Sequence, residues 1–305
     1  MTTYISDPFI AFCILPLVAT IIIAAAIRFC GGGLTDNRLI SASAGVCIVW
    51  VTVLVLGMPE FPSPPGGHAL PVILLVGLVL GSLLDQFLPV LRNRARLWRI
   101  VLDFTFVIGA VVWIRGTLDL WCLVIFATWG TLQIRAHSHT GSNAIPAVMM
   151  LLSAGGLALI AWIGGTTSDE AISLGVFSAT LGLGALLSIN RSLHLGYGYH
   201  WGGFTAQLLI ALRLIESNPA LMAPILVLGF IFYSDNAAAS LVDWKPTMKK
   251  VPRPMLAGLV SIFPLALAMV IAVAASRLEP LSLSPLSTDR GYPTQYDVVY
   301  EEWSR

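Results

Sequence analysis

The chain has 305 residues, of which 57% are hydrophobic and 11% charged, against roughly 45–50% and 25% in soluble domains. A water-soluble fold of this size has no room to hide that much apolar surface. Seventeen Lys and Arg against sixteen Asp and Glu leave a net charge of +1, so no global field attracts nucleic acid or anionic substrates, and nucleic acid is excluded as a partner.

Apolar runs of about twenty residues, the length that crosses about 30 Å of hydrocarbon as a helix, recur from end to end. Helices are required because lipid offers no partner for unpaired backbone groups. A transmembrane barrel would alternate polar and apolar residues, whereas runs such as Ile21-Ile22-Ile23-Ala24-Ala25-Ala26 do not. The expected fold class is all-α: a polytopic helical membrane protein of about ten transmembrane helices, multi-pass in the cell (inner or plasma) membrane, with the lipid bilayer as its first partner.

In chain order the predicted spans are 8–27, 39–58, 70–90, 98–114, 119–135, 145–164, 171–189, 198–215, 219–241 and 254–276. The first is read as a retained span, because Arg28 follows its apolar run and no positive charge precedes it, the reverse of a secretory signal. Gly31-Gly32-Gly33, the Pro-rich stretch from Pro59 to Gly67, and Ser217-Asn218-Pro219 mark breaks. Pro16 and Pro264 fall inside spans and are expected to kink them or to free a carbonyl. In the seventh span Gly175, Ser178, Ala179, Gly182 and Ala185 form a small-residue face that lets backbones approach closely. Such a face packs the bundle internally or meets another membrane protein. Residues 1–276 read as one bundle, with possible halves 1–140 and 141–276 that an odd number of spans each would make inverted repeats.

Lys and Arg concentrate in cytoplasmic loops. With these spans Arg28, Arg38, Arg92, Arg94, Arg96, Arg99, Arg135, Arg191, Lys245, Lys249, Lys250 and Arg253 fall on one side, twelve of the seventeen, which predicts that both termini are non-cytoplasmic. The tail 277–305 carries five acidic and three basic side chains and no apolar run. Tyr292, Tyr296, Tyr300 and Trp303 would share one face of a helical tail, a surface for docking on a partner or the membrane.

Ionisable side chains inside lipid are costly, which singles out Asp85, Asp103 and Asp235. Counted at 1.5 Å per residue, all three lie roughly 7–9 Å from the cytoplasmic edge. Ser234, Asp235 and Asn236 belong to the most polar run in any span, so a substrate or ion site is expected from Asp235, Asn236, Ser234, Asp85 and Asp103. The structural alternative is that each carboxylate pairs with a base such as Arg92, Arg94, Arg96 or Arg99. A second, weaker candidate is a metal site of His137, His139 and His200, for which neither paired cysteines nor an H-E-x-x-H spacing exists. No cofactor motif is found and none is expected.

Three functions fit. The first is a permease for a small or amphipathic solute, with the carboxylate layer on its cytoplasmic side. The second is a non-catalytic subunit or assembly factor of a larger membrane complex. The third is a membrane-embedded lipid-modifying enzyme. The chain lacks the adjacent aspartates and Asp-Gly segment that polyprenyl-phosphate sugar-phosphate transferases need and the membrane Glu-Glu pair that CAAX-type intramembrane proteases need.

Overall fold

The computed structural model describes residues 8–30, 39–58, 69–87, 95–115, 128, 131–132, 144–189, 193, 195–244, 248 and 251–278. Every regular element among them is helical. The helices are α1 (Ile10–Cys30), α2 (Leu39–Leu56), α3 (Leu70–Phe87), α4 (Ala95–Arg115), α5 (Ala144–Gly164), α6 (Thr167–Ile189), α7 (residues 197–217), α8 (Pro219–Trp244) and α9 (Arg253–Leu278). Six of them, α1, α2, α5, α6, α8 and α9, are long and apolar enough to cross a membrane, which fits a membrane protein. The expected span 119–135 lies almost wholly outside the described residues, as do the tail, His137 and His139.

Three helix ends follow directly from the local sequence. Thr166 and Asp169 form a capping box at the start of α6: the Thr166 N–H donates to Asp169 Oδ2 (3.3 Å) and the Asp169 N–H to Thr166 Oγ1 (3.3 Å), satisfying amides that a helix start leaves open. Asn218 caps α8 by accepting from the Ala220 N–H (3.0 Å), with Pro219 next to it where no amide is needed. Gly57 ends α2 at φ +85°, a conformation that costs a side-chain-bearing residue more.

Irregular turns interrupt three helices. In α1 a π turn, Ile10–Ile14, directly precedes the segment that carries Pro16. In α7 the π turn His200–Phe204 separates the short start Tyr197–Tyr199 from the regular Thr205–Ser217. In α8 a tight 3-10 turn, Phe230–Tyr233, divides Met222–Gly229 from Ser234–Trp244. Pro264 is held inside α9.

One continuous apolar core joins residues from Phe12 to Ala272 and draws on every one of these helices. The small face of α6 is covered from within: a methyl at Gly175 would lie 2.4 Å from Val51 of α2, and one at Gly182 would lie 2.9 Å from the Leu17 carbonyl of α1. Outward surfaces remain apolar, as lipid contact requires: on α9 Phe263 is 74% exposed and Val270 66%.

Candidate functional site

The polar groups of the bundle gather along α7. Its residues from Tyr197 to Gln207 are all buried, and polar side chains from five other helices reach it at its start, middle and end.

At the start, α7 is held by three helices. Gly196 N–H, just ahead of it, donates to Ser41 Oγ of α2 (2.8 Å). The carboxylate of Asp85, late in α3, takes the Tyr197 N–H on Oδ1 (2.9 Å) and the Gly198 N–H on Oδ2 (3.1 Å). A carboxylate from one helix thus caps the first turn of another, where the open amides and helix dipole favour negative charge. Asp103, early in α4, accepts from the indole Nε1–H of Trp201 (2.7 Å). One turn further along α4, Phe106 stacks flat on Trp201 with centroids 4.8 Å apart, and Tyr197 meets the same indole edge-on at 6.1 Å. Asp85 and Asp103 are 1% and 5% exposed.

These contacts are possible because glycines remove the side chains between the helices. A methyl at Gly81 of α3 would lie 2.5 Å from the Tyr197 carbonyl oxygen, and one at Gly77 would lie 2.6 Å from that of Trp201. Gly77 and Gly81 form a G-x-x-x-G pair, as do Gly198 and Gly202 of α7. Gly202 in turn faces Gly45 of α2, whose Cα would be 3.5 Å from an added methyl.

In the middle, Gln207 Nε2 donates to the Met150 carbonyl (3.2 Å) and its Oε1 accepts from Ser153, both on α5. Tyr199 and Thr180 of α6 share a hydroxyl bond of 3.2 Å. Ser173 of α6 is 1% exposed and its hydroxyl has no hydrogen-bond partner among the described residues. At the end of α7, Arg213 pairs with Asp169 of α6 through Nε and donates from Nη2 to Ser168 Oγ (3.1 Å). Asp169, 1% exposed, is therefore both cap of α6 and counter-ion of Arg213.

Of the residues singled out from sequence, the structure brings Asp85 and Asp103 together on the first turns of α7, with His200 in the π turn that follows. Asp235 stands at the start of the second half of α8, half-buried, with Asn236 exposed. Its neighbour Ser234 turns to α9, where the Ser234 and Ser261 hydroxyls lie 2.8 Å apart. The side chains of Arg92, Arg94, Arg96 and Arg99 lie outside the described part. Among the described residues no three His, Cys, Asp or Glu side chains converge as metal ligands would. Sequence reasoning missed Gly77 and Gly81, which their four-residue spacing signals, and Asp169 with Arg213, signalled in part by the Thr166-x-x-Asp169 cap. It also missed Gln207, a lone amide that carries no pattern.

Compared with models of known protein families and with curated proteins, the chain matches none.

Proposed function

We propose that the chain is a multi-pass permease of the cell membrane for a small or amphipathic solute, with ten crossings and both termini outside the cytoplasm. The observation that carries this reading is α7. At 1.5 Å per residue its 197–217 segment is about 31 Å long, enough to cross the hydrocarbon. It is buried in the middle of the bundle, yet it meets polar groups at its start, middle and end. Packing alone does not call for this, since polar groups in a bilayer cost free energy and collect where solutes or ions pass. Ser173 of α6, four residues after Asp169, adds a buried hydroxyl without a partner among the described residues, a group whose desolvation costs about 1–3 kcal/mol unless something polar visits it. The breaks in α7 and α8 support the reading too, because interrupted helices commonly form transporter sites.

The crossing count is supported by helix direction. Asp103, early in α4, meets the start of α7, whereas Gly164, the last residue of α5, accepts from Asn218 just past the end of α7 (3.3 Å). Consecutive among the described helices, α4 and α5 therefore run the same way. An alternating chain needs one more crossing between them, where the sequence offers 119–135.

The test is flux into proteoliposomes of the purified full chain, challenged with a panel of polyols, amino acids and choline-like amphiphiles. At least one solute is expected to enter faster than into protein-free vesicles, and Gln207→Leu and Asp235→Asn to slow it by about tenfold or more, equivalent to ~1.4 kcal/mol. No flux across the panel overturns the permease. Stable companions co-purifying in mild detergent, together with that null result, would favour a subunit of a larger complex.

A further inference from the structure

We propose that the first turns of α7 form a gate, latched by Asp85 and Asp103 and hinged at the π turn His200–Phe204. The two parts of α7 are held in different ways. From Thr205 onward the helix is regular and tied down by Gln207 to α5 and by Arg213 to α6. Ahead of the π turn, Gly196, Tyr197 and Gly198 are tied to α2 and α3 through Ser41 and Asp85, and Trp201 within the turn is tied to α4 through Asp103. Among the described residues these three helices supply none of the side-chain hydrogen bonds of the later part, and only Tyr199, bonded to Thr180 of α6, ties the start to a helix that also holds the later part, so a shift of α2, α3 and α4 against α5 and α6 would strain α7 at the turn.

That turn is built to yield. A π turn carries one residue more than an α-helical turn and occurs mostly as a single-turn interruption of an α-helix, frequently at functional sites. Here it contains Gly202 and Gly203, whose missing side chains remove rotamer barriers and stiffening contacts. The Tyr199 ring folds over Gly203, where a methyl would come within 2.6 Å of it. Thr205 Oγ1, the first residue after the turn, reaches back to the His200 carbonyl at 3.4 Å, a weak strut across the widened turn. The latch itself consists of hydrogen bonds and of one aromatic stack, Phe106 on Trp201, and its Tyr197 and Trp201 rings form a small buried cluster distinct from the main apolar core, to which Tyr199 belongs.

The gate takes its purpose from the permease reading, but its movement is measurable without any solute. Hydrogen exchange of the full chain in lipid nanodiscs is expected to show peptides covering 195–204 exchanging about tenfold faster or more than those covering 205–214, as a locally opening segment does. Asp85→Ala should speed the first segment further and leave the second unchanged. Asp85→Asn, which keeps one acceptor oxygen, should fall between the two. Equal, slow exchange of both segments in the native chain overturns the gate, and so does an Asp85→Ala pattern identical to the native one. Should Asp85→Ala fail to fold, Asp103→Leu replaces it with the same expectation and the same overturning result. A cross-link separates the gate from the transport reading: Ser82 Oγ lies 2.7 Å from where a Gly198 methyl would stand, so oxidising the Ser82→Cys/Gly198→Cys pair fastens α7 to α3. Loss of flux on oxidation that reductant restores supports the gate. Undiminished flux with the bridge formed overturns it, while fast exchange in a protein that moves no solute overturns only the permease.

Discussion

At the scale of single residues, the start of α7 depends on absences as much as on side chains. Gly81 and Gly109 are both helical glycines, and the sequence treats them alike, but their surroundings are opposite. A methyl at Gly81 would press on the Tyr197 backbone at 2.5 Å, whereas nothing lies within 4 Å of one at Gly109. Backbone yields less readily than a side chain, so Gly81→Ala is expected to destabilise by about 1–3 kcal/mol as overpacking does. Gly109→Ala should be neutral or stabilise by up to about 1 kcal/mol through helix propensity. Thermal unfolding in detergent separates them: a melting point lowered by Gly109→Ala and untouched by Gly81→Ala would contradict the packing described. The burial of Asp85 and Asp103 was legible from sequence because a carboxylate within an apolar run has nowhere cheap to go. What they bind was not, since an amide N–H and an indole on a third helix depend on how that helix is rotated.

At the scale of elements, hydrophobic length is a local property, and it placed the helices well. The span expected at 198–215 is the helix 197–217, and the one expected at 145–164 is Ala144–Gly164. The interruptions were less legible. Pro16 marks the neighbourhood of the π turn in α1, but nothing in Gly229-Phe230-Ile231-Phe232-Tyr233 announces the 3-10 turn in α8, because adding or removing one residue per turn is decided by packing. The junction of α6 and α7 joins two such effects. Asp169 caps its own helix and neutralises Arg213, whose side chain is 25% exposed. Removing the arginine leaves a buried carboxylate facing lost charge, so Arg213→Leu is expected to cost about 3–5 kcal/mol. Asp169→Asn keeps an acceptor for the Thr166 amide and hydroxyl and should cost less. Combined, the two changes should be milder than the sum of the singles by about 1–3 kcal/mol, because the pair is in direct contact. Strict additivity in denaturant or thermal unfolding would show that the contact carries no coupling.

At the scale of the whole molecule, the two ends of the bundle are chemically distinct. Ser41, Asp85, Asp103 and the start of α7 gather at one end, and Gly164, Asp169, Arg213 and Asn218 at the other. The loops that the sequence assigns to the first end hold twelve of the seventeen Lys and Arg, and such loops stay cytoplasmic. Orientation and handing of the helices thus come from two independent sources: charge along the chain sets which end faces the cytoplasm, and hydrogen bonds between helices set which residues share that end. In the proposed ten-crossing arrangement Asp85 and Asp103 lie at the cytoplasmic end and the last helix, α9, runs outward. A reporter fused after Arg305 that is active only outside the cytoplasm is therefore expected to be active, and one fused within the loop holding Lys249 and Lys250 to be silent. These two fusions test α9, the one described helix between them, and matching readouts would show that Arg253–Leu278 does not cross, because the loop before it carries four basic residues of its own, Lys245, Lys249, Lys250 and Arg253. The crossing between Arg115 and Ala144 needs its own pair: under the ten-crossing proposal a fusion just after Arg115 is expected to be active and one just before Ala144 silent, and matching readouts would show that the chain does not cross between them.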